Sequence, residues 1–351
     1  MNGFFVFNKY HCLWCFIVAA LATLAATTAF AQSSVQVVGV FDPSFANTQT
    51  TFGNNTSVTN QSIRNNTQGT SQITFKGTED LGGGLKANFL IENDFDAGKD
   101  ARNGVAGTAP ASNANLGSLG GELFLNLEGG FGKIAMGAPN TPTLSAQSQN
   151  PFGTKIGGGF GQINSGKVRN NNTLMYSTPT MAGFTAHLAY SNKTKDATGL
   201  TTTADITDIG LFYVNGPLDV KFSSYKVAAT ATVVEKTDNN LTAAYDLGVA
   251  KLGVAYFTQK QTALADAKGM SLFATVPLSA NLSLLANFGQ NDSALATNLD
   301  SKISAVGLKY SFSKMTSVYA RYVDQTFDNV AATAATTKKV QTTAIGMMTT
   351  F

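Results

Sequence analysis

The chain has 351 residues, with 24 Lys and Arg against 21 Asp and Glu, a formal charge of +3 and a charged fraction of only 13%. Soluble domains carry roughly 25% charged residues, and a near-neutral chain without a basic cluster is a poor nucleic-acid binder. Cys12, Cys15 and Trp14 all lie near the start, so residues 32–351 offer no thiolate for catalysis or metal binding and rely on no disulfide.

Residues 1–31 read as a cleaved secretory signal peptide. Lys9 is their one fixed positive charge, an apolar run follows from Cys12 to Ala26, and Ala29-Phe30-Ala31 forms a small-x-small end before Gln32. An uncleaved anchor over Cys12 to Ala31 is the rival reading, disfavoured because Thr23, Thr27 and Thr28 dilute it. Cleavage removes Lys9 and takes the charge from +3 to +2. Beyond the leader no run reaches the roughly 18 apolar residues of a membrane helix, and weakly charged sequence is spread evenly instead. The membrane structure that produces this pattern is a closed barrel.

Alternation with period two dominates the remaining 32–351 segment. Leu85, Ala87, Phe89 and Ile91 share one face of a strand while Lys86, Asn88 and Glu92 take the other. The same holds for Phe184, Ala186, Leu188 and Tyr190, for Leu282, Leu284, Ala286 and Phe288, and for Val306, Leu308, Tyr310 and Phe312. One apolar and one small or polar face is the lipid-out, lumen-in rule of a transmembrane strand. Short turns at 179–183, 215–217, 277–281 and 313–315 alternate with long Thr/Asn/Ala/Gly-rich spacers at 47–68, 97–120, 192–208 and 324–337. Strands are predicted to start near Val35, Ser71, Leu85, Gly121, Gly132, Thr173, Phe184, Ile209, Leu218, Asn240, Lys251, Gly269, Leu282, Ser301, Thr316 and Val340. This predicts an all-β, 16-stranded antiparallel transmembrane β-barrel, although eighteen strands also fit the pattern. Such a ring leaves a water-filled channel. Residues 138–172 lack alternation and are too long for a turn, so they are expected to fold into the lumen.

Several blocks give this pattern a family resemblance. Phe75-Lys76-Gly77-Thr78-Glu79-Asp80-Leu81-Gly82-Gly83-Gly84-Leu85-Lys86-Ala87, Gly130-Phe131-Gly132-Lys133, the run from Asn171 to Pro179 and the terminal Phe351 resemble the general porins of β-proteobacteria and their neisserial kin. The resemblance covers essentially all of 32–351. It implies a homotrimer in the outer membrane of a Gram-negative bacterium, passing small hydrophilic solutes and inorganic ions. It also implies a third extracellular loop that narrows the pore, with Pro151-Phe152-Gly153 similar to its inner bend, and a terminal Phe351 read by the barrel-assembly machinery. The family lines one wall with arginines and sets carboxylates on the loop. Here Gln72, Ala138 and Met175 stand where basic wall residues are expected, and Gly129 to Lys195 holds no Asp or Glu.

Loop candidates are therefore Lys155, Gln162, Asn164, Lys167 and Arg169, and wall candidates are Gln72, Lys86, Glu92, Ala138, Met175 and Arg321. Loop cations, with Lys86, Lys309 and Arg321 on the lumen parity, favour anions; Glu92 and Asp94 oppose them, and screening weakens all of it. The bland alternative leaves the loop lysines in solvent at the mouth. Gly161 to Val168 nearly spells a P-loop, but Val168 removes the hydroxyl that Mg²⁺ needs. His187 has no nucleophile–carboxylate pattern around it, so neither catalysis nor a zinc site is expected. Glu79 and Asp80 read as a solvated turn rather than a Ca²⁺ pair. No metal or cofactor is implied. Passive diffusion with modest anion preference is the leading function; a substrate-selective channel and a surface adhesin or structural barrel are the alternatives.

Overall fold

The structure, a computed structural model, describes residues 34–98, 120–159, 168–194, 203–262, 266–292, 300–328, 330–333 and 336–351. Residues 1–31 and the candidates Gln162, Asn164 and Lys167 lie outside that set.

The described chain is built from strands with one short helix between them. The strands are β1 (Ser34–Phe41), β2 (Pro43–Phe52), β3 (Ser57–Asn65), β4 (Gln72–Gly82), β5 (Leu85–Asp94), β6 (Leu123–Gly129), β7 (Gly132–Ala138), β8 (Thr173–Ser177) and β9 (Phe184–Ser191). There follow β10 (Ile206–Asn215), β11 (Leu218–Val227), β12 (Lys236–Asp246), β13 (Lys251–Gln261), β14 (Ala267–Pro277), β15 (Leu282–Asp292), β16 (Ser301–Ser311), β17 (Thr316–Phe327) and β18 (Thr337–Thr350). Helix α1 is Pro142–Gln147. Strands from β4 to β18 pair antiparallel with their sequence neighbours, as do β2 and β3, and β18 closes the ring on β1 and β2.

Eighteen segments make sixteen ribbons. Against β18, β1 and β2 keep one register, with Val40 opposite Thr350 and Phe45 opposite Ile345, so they form a single ribbon through Asp42. On its other edge this ribbon pairs with β4 and then β3: Val40 faces Gln72 and Pro43 faces Asn65. Seven residue steps from Asn65 to Gln72 thus face three from Val40 to Pro43, a surplus of four. β3 and β4 are one ribbon carrying an insertion, residues 66–71.

The predicted starts agree with the observed strands except at two places. The spacer read as a loop over 47–68 is mostly strand: β2 and β3 form a hairpin around residues 53–56. Its threonines are β-branched and suit extended backbone, but both faces are polar, so no alternation marks it. The tenth ribbon starts at Lys236 rather than Asn240.

Side-chain exposure follows the pleat. Leu123, Leu125, Leu127, Ile134, Met136, Leu188, Tyr190, Leu252, Val254 and Tyr256 are exposed, while Asn126, Ala135, Ala189 and Ala255 between them are buried. The apolar face therefore points outward, as a lipid-facing wall requires.

At the tight β6–β7 turn, Gly132 has φ of +102° and a Cβ there would lie 2.2 Å from the Ser177 carbonyl oxygen. Neighbouring Gly130 has open space around it. We expect Gly132→Ala to lower the heat-denaturation midpoint, with a cost of about 1–3 kcal/mol, while Gly130→Ala leaves it unchanged. Heat-modifiable migration on gels checks both.

Candidate functional site

Residues 139–159 run along the inner face of the barrel from β7 to β17. Thr141 caps α1 by accepting a hydrogen bond from the Leu144 amide at 3.0 Å, and Pro142 occupies the first turn, where its missing N–H costs nothing. The helix is tied to the wall through Thr143, whose amide and hydroxyl donate to the Asp208 carboxylate at 2.9 and 2.8 Å. The Gln147 amide donates to Asn240 at 3.3 Å. Further on, Phe152 and Ile156 pack with Leu285, Ile303, Ala305 and Val323, and Asn287 donates to the Gly157 carbonyl at 2.9 Å. All these wall residues lie on the parity opposite the exposed apolar face.

The loop cations Arg169 and Lys155 both lie against the wall. Arg169 is 3.7 Å from Glu92 and 3.3 Å from Asp94, and also donates to the Gly120 carbonyl at 2.6 Å and to Asn140 at 3.2 Å. Gln72 donates to Glu92 from the neighbouring strand, and the Asn140 amide donates to Glu122 at 2.7 Å. Lys155 donates to the Thr70 hydroxyl at 2.6 Å. Burial pushes the Lys155 ammonium below the usual lysine range, with Asp94 and then Asp42 pulling the other way. Basic groups thus sit on the loop and carboxylates on the wall, the reverse of the polarity that the sequence resemblance implies. One expectation needs correction here: Arg169 is not an open anion-attracting group, because its charge is compensated at contact distance by Glu92 and Asp94.

Sequence reasoning missed the structure around Arg321. Its side chain is 3% exposed and donates to the carbonyls of Thr67 and Ile156 and to the side chain of Gln68. The guanidinium carbon lies 4.8 Å from the Phe152 ring centroid and 5.3 Å from that of Tyr319. Asp42, 0% exposed, accepts from the amides of Gln68 and Gly69 and from the Tyr319 hydroxyl. The sequence signal was an acid, Asp42, directly after the apolar run from Val37 to Phe41.

Met175 lies inward, packed with Ala135 and Ala189. Lys86 is exposed on the inner parity, between Asp80 and Glu128 in register. Ala138 is a correction: it stands opposite Leu123, whose side chain is exposed on the outer face, so the lumen parity of β7 belongs to Lys133, Ala135 and Gly137. Phe351 is 57% exposed; it exchanges backbone hydrogen bonds of 2.9 and 3.1 Å with Gly39, and its ring covers that glycine. His187 lies 2.9 Å from the Ser177 hydroxyl, with its ring 4.6 Å from Phe212. Asp80 accepts from the Gly82 amide and caps the turn. The P-loop-like run falls almost entirely outside the described residues.

A family model described as Gram-negative porin matches residues 18–330. Outer membrane porin protein 32 of Delftia acidovorans is 33% identical over 252 residues, 66% of each chain. An outer membrane porin protein of Bordetella pertussis is 32% identical over 272 residues, 68% of each. The matched part thus spans about two thirds of these relatives' length. Among solved structures, an anion-selective porin from Comamonas acidovorans superposes with a TM-score of 0.71 at 22% identity, covering 91% of this chain and 100% of that one. The trimer form of OmpT from Vibrio cholerae gives 0.65 at 13% identity, covering 91% and 99%. The chain belongs to the Gram-negative porin family and is a transmembrane β-barrel of the outer membrane.

Removing the Arg169 charge leaves Glu92 and Asp94 uncompensated. Arg169→Ala is expected to shift the cation-to-anion permeability ratio about twofold toward cations, because one charge roughly 10 Å from the ion path acts with opposite sign on the two ions and is screened by salt. Zero-current potentials in a KCl gradient measure this. Deprotonation of Lys155 should occur early, because its ammonium is disfavoured by burial. The difference in zero-current potential between the wild type and Lys155→Met should therefore vanish as pH rises, at a pH below the ordinary ~10.4 of lysine.

Proposed function

We propose that this porin forms homotrimeric, water-filled channels through which small hydrophilic solutes and inorganic ions diffuse passively, with a modest preference for anions. The observation that carries the reading is the closed ring of sixteen ribbons with an apolar outer face and a polar inner one. A ring of that size is too wide for its own side chains to fill. In this reading residues 138–172 are the constriction, and the contacts of 139–159 with the inner wall support it.

Anion preference rests on Lys155, Lys86 and Lys309, together with the sequence candidate Lys167, and is held to a modest level by the pairing of Arg169. The similarity to an anion-selective porin of Comamonas acidovorans points the same way. Trimer formation is supported by the trimer form of OmpT. Residues 1–31 serve as the cleaved leader, Phe351 as the signal read by the barrel-assembly machinery, and outer-membrane lipid as the partner of the outer face. Family membership points to a channel rather than an enzyme.

One observation favours a second reading, a substrate-selective channel: the reversed polarity of loop and wall gives polar solutes a different pair of surfaces to match. Liposome swelling with neutral and charged sugars of rising size separates the two. General diffusion requires a rate that falls smoothly with size, whereas one sugar entering far faster than its size allows would identify a selective channel.

Planar-bilayer recordings of the purified protein are expected to show conductance steps in groups of three and a zero-current potential of the sign for anion preference. A clearly cation-selective potential would refute the charge assignment. The secreted chain is expected to begin at Gln32 on N-terminal sequencing.

A further inference from the structure

The insertion at residues 66–71 is a built feature with no role in closing the barrel. Removing its four surplus residues would leave β3 and β4 as one uninterrupted ribbon in the same register, and an even number keeps every side chain on its present face. The insertion is nonetheless held from every side. Asp42 accepts from the amides of Gln68 and Gly69, the latter at 2.8 Å, while the Asp42 amide donates to the Ser71 hydroxyl at 3.0 Å. Ser44 and Thr67 hydroxyls lie 2.7 Å apart, and Asn66, at φ of +58°, accepts from the Ser71 amide at 2.7 Å. Thr67 and Ser71 are fully buried.

What this fixed piece touches on its inner side is the segment 139–159. Lys155 donates to the Thr70 hydroxyl at 2.6 Å. Arg321 donates from one guanidinium nitrogen to two carbonyls, Thr67 of the insertion and Ile156 of the segment, the second at 3.1 Å. Phe152, one bend earlier, stacks on the same guanidinium. A strand break that needs its own buried acid and its own buried arginine, and that ends on the tip of an inner segment, is a seat.

We propose that residues 66–71 are a second pore-shaping element: a seat in the second ribbon that pins the tip of segment 139–159, with Asp42 and Arg321 as its positioning residues. This rests on the porin reading and adds to it. The width of the channel is set jointly by loop and seat, so loosening the seat frees the tip and changes the conductance.

The test is planar-bilayer recording on two variants whose folding is checked first by heat-modifiable gel migration. One deletes residues 67–70. The other, Thr70→Val with Lys155→Met, removes only the Lys155–Thr70 contact and leaves the seat and its Arg321 bridge in place. The deletion is expected to raise single-channel conductance roughly 1.5-fold, and both variants to close at lower voltage than the wild type. Wild-type conductance and closing voltage in the folded variants would overturn the proposal. If the deletion does not fold, the closing voltage of the double variant decides alone. A wild type that conducts no current would instead refute the porin reading.

Discussion

Hydrocarbon offers no hydrogen bonds, and each backbone amide or carbonyl left unpaired in it costs several kcal/mol. Everything in this barrel answers to that constraint. The sheet closes on itself through β18 and the β1/β2 ribbon, and Phe351 exchanges backbone hydrogen bonds with Gly39. Where the second ribbon departs from regular pairing, at residues 66–71, the backbone therefore has to find its partners on the lumen side. It does so through the side chains of Asp42, Asn66 and Arg321. A fully buried acid and a nearly buried arginine are expensive to desolvate separately. Here Tyr319 donates to the acid while its ring flanks the guanidinium, and backbone groups of the insertion bond to both.

The same requirement governs the charges near the loop. A cation held 3.3–3.7 Å from two carboxylates contributes little field at a distance of one Debye length, about 8 Å at physiological salt. Selectivity then depends on the charges left without such neighbours. Lys309 lies on the inner parity opposite Ser283 and Tyr319, and Lys155 is bonded to a neutral hydroxyl, whereas Lys86 stands between Asp80 and Glu128. An acid-free loop carrying three cations, read from sequence, suggests a modest anion filter. The folded arrangement converts part of that filter into structural cross-links, of which Arg169, bridging β5, residue 120 and Asn140, is the main one.

Most of the barrel was legible because alternation is a direct record of burial in a two-faced wall. Leu85 to Ile91 and Val306 to Phe312 announce their faces without ambiguity. The β2–β3 hairpin was not legible, since with Thr, Asn and Gln on both faces nothing distinguishes a strand from a polar loop. The insertion was hidden for the same reason, and Asn66 to Ser71 reads as turn sequence with no hint that it points inward. Ala138 was misplaced because motif alignment fixes a position along the chain but not its pleat. The Arg169 pairing was out of reach, because Glu92 and Arg169 are far apart in sequence and only the return of the loop to β5 brings them together.

The strands carry one further signal of the loop's position. Around β4 to β6 the lumen parity is mainly polar, with Gln72, Thr74, Asn88, Glu92 and Asn126, interrupted by Leu90 opposite Phe124. On β15 to β17 the same parity carries Leu285, Ile303 and Val323 beside Asn287, Lys309 and Arg321, so part of the inner face of these strands is apolar as well. No water-facing wall gains from that. Apolar side chains on the lumen parity need a cover, and Phe152 and Ile156 supply it, forming a small dry core inside a wet barrel. The inner face thus offers charged partners to Arg169 on β5 and an apolar surface to Phe152 and Ile156 on β15 to β17. The apolar surface is written in the strands themselves, well away from residues 152–156 in sequence. A break in the polar half of the alternation marks where an inner element docks, and Arg321, at the edge of that apolar sector, is where the docked segment meets the insertion.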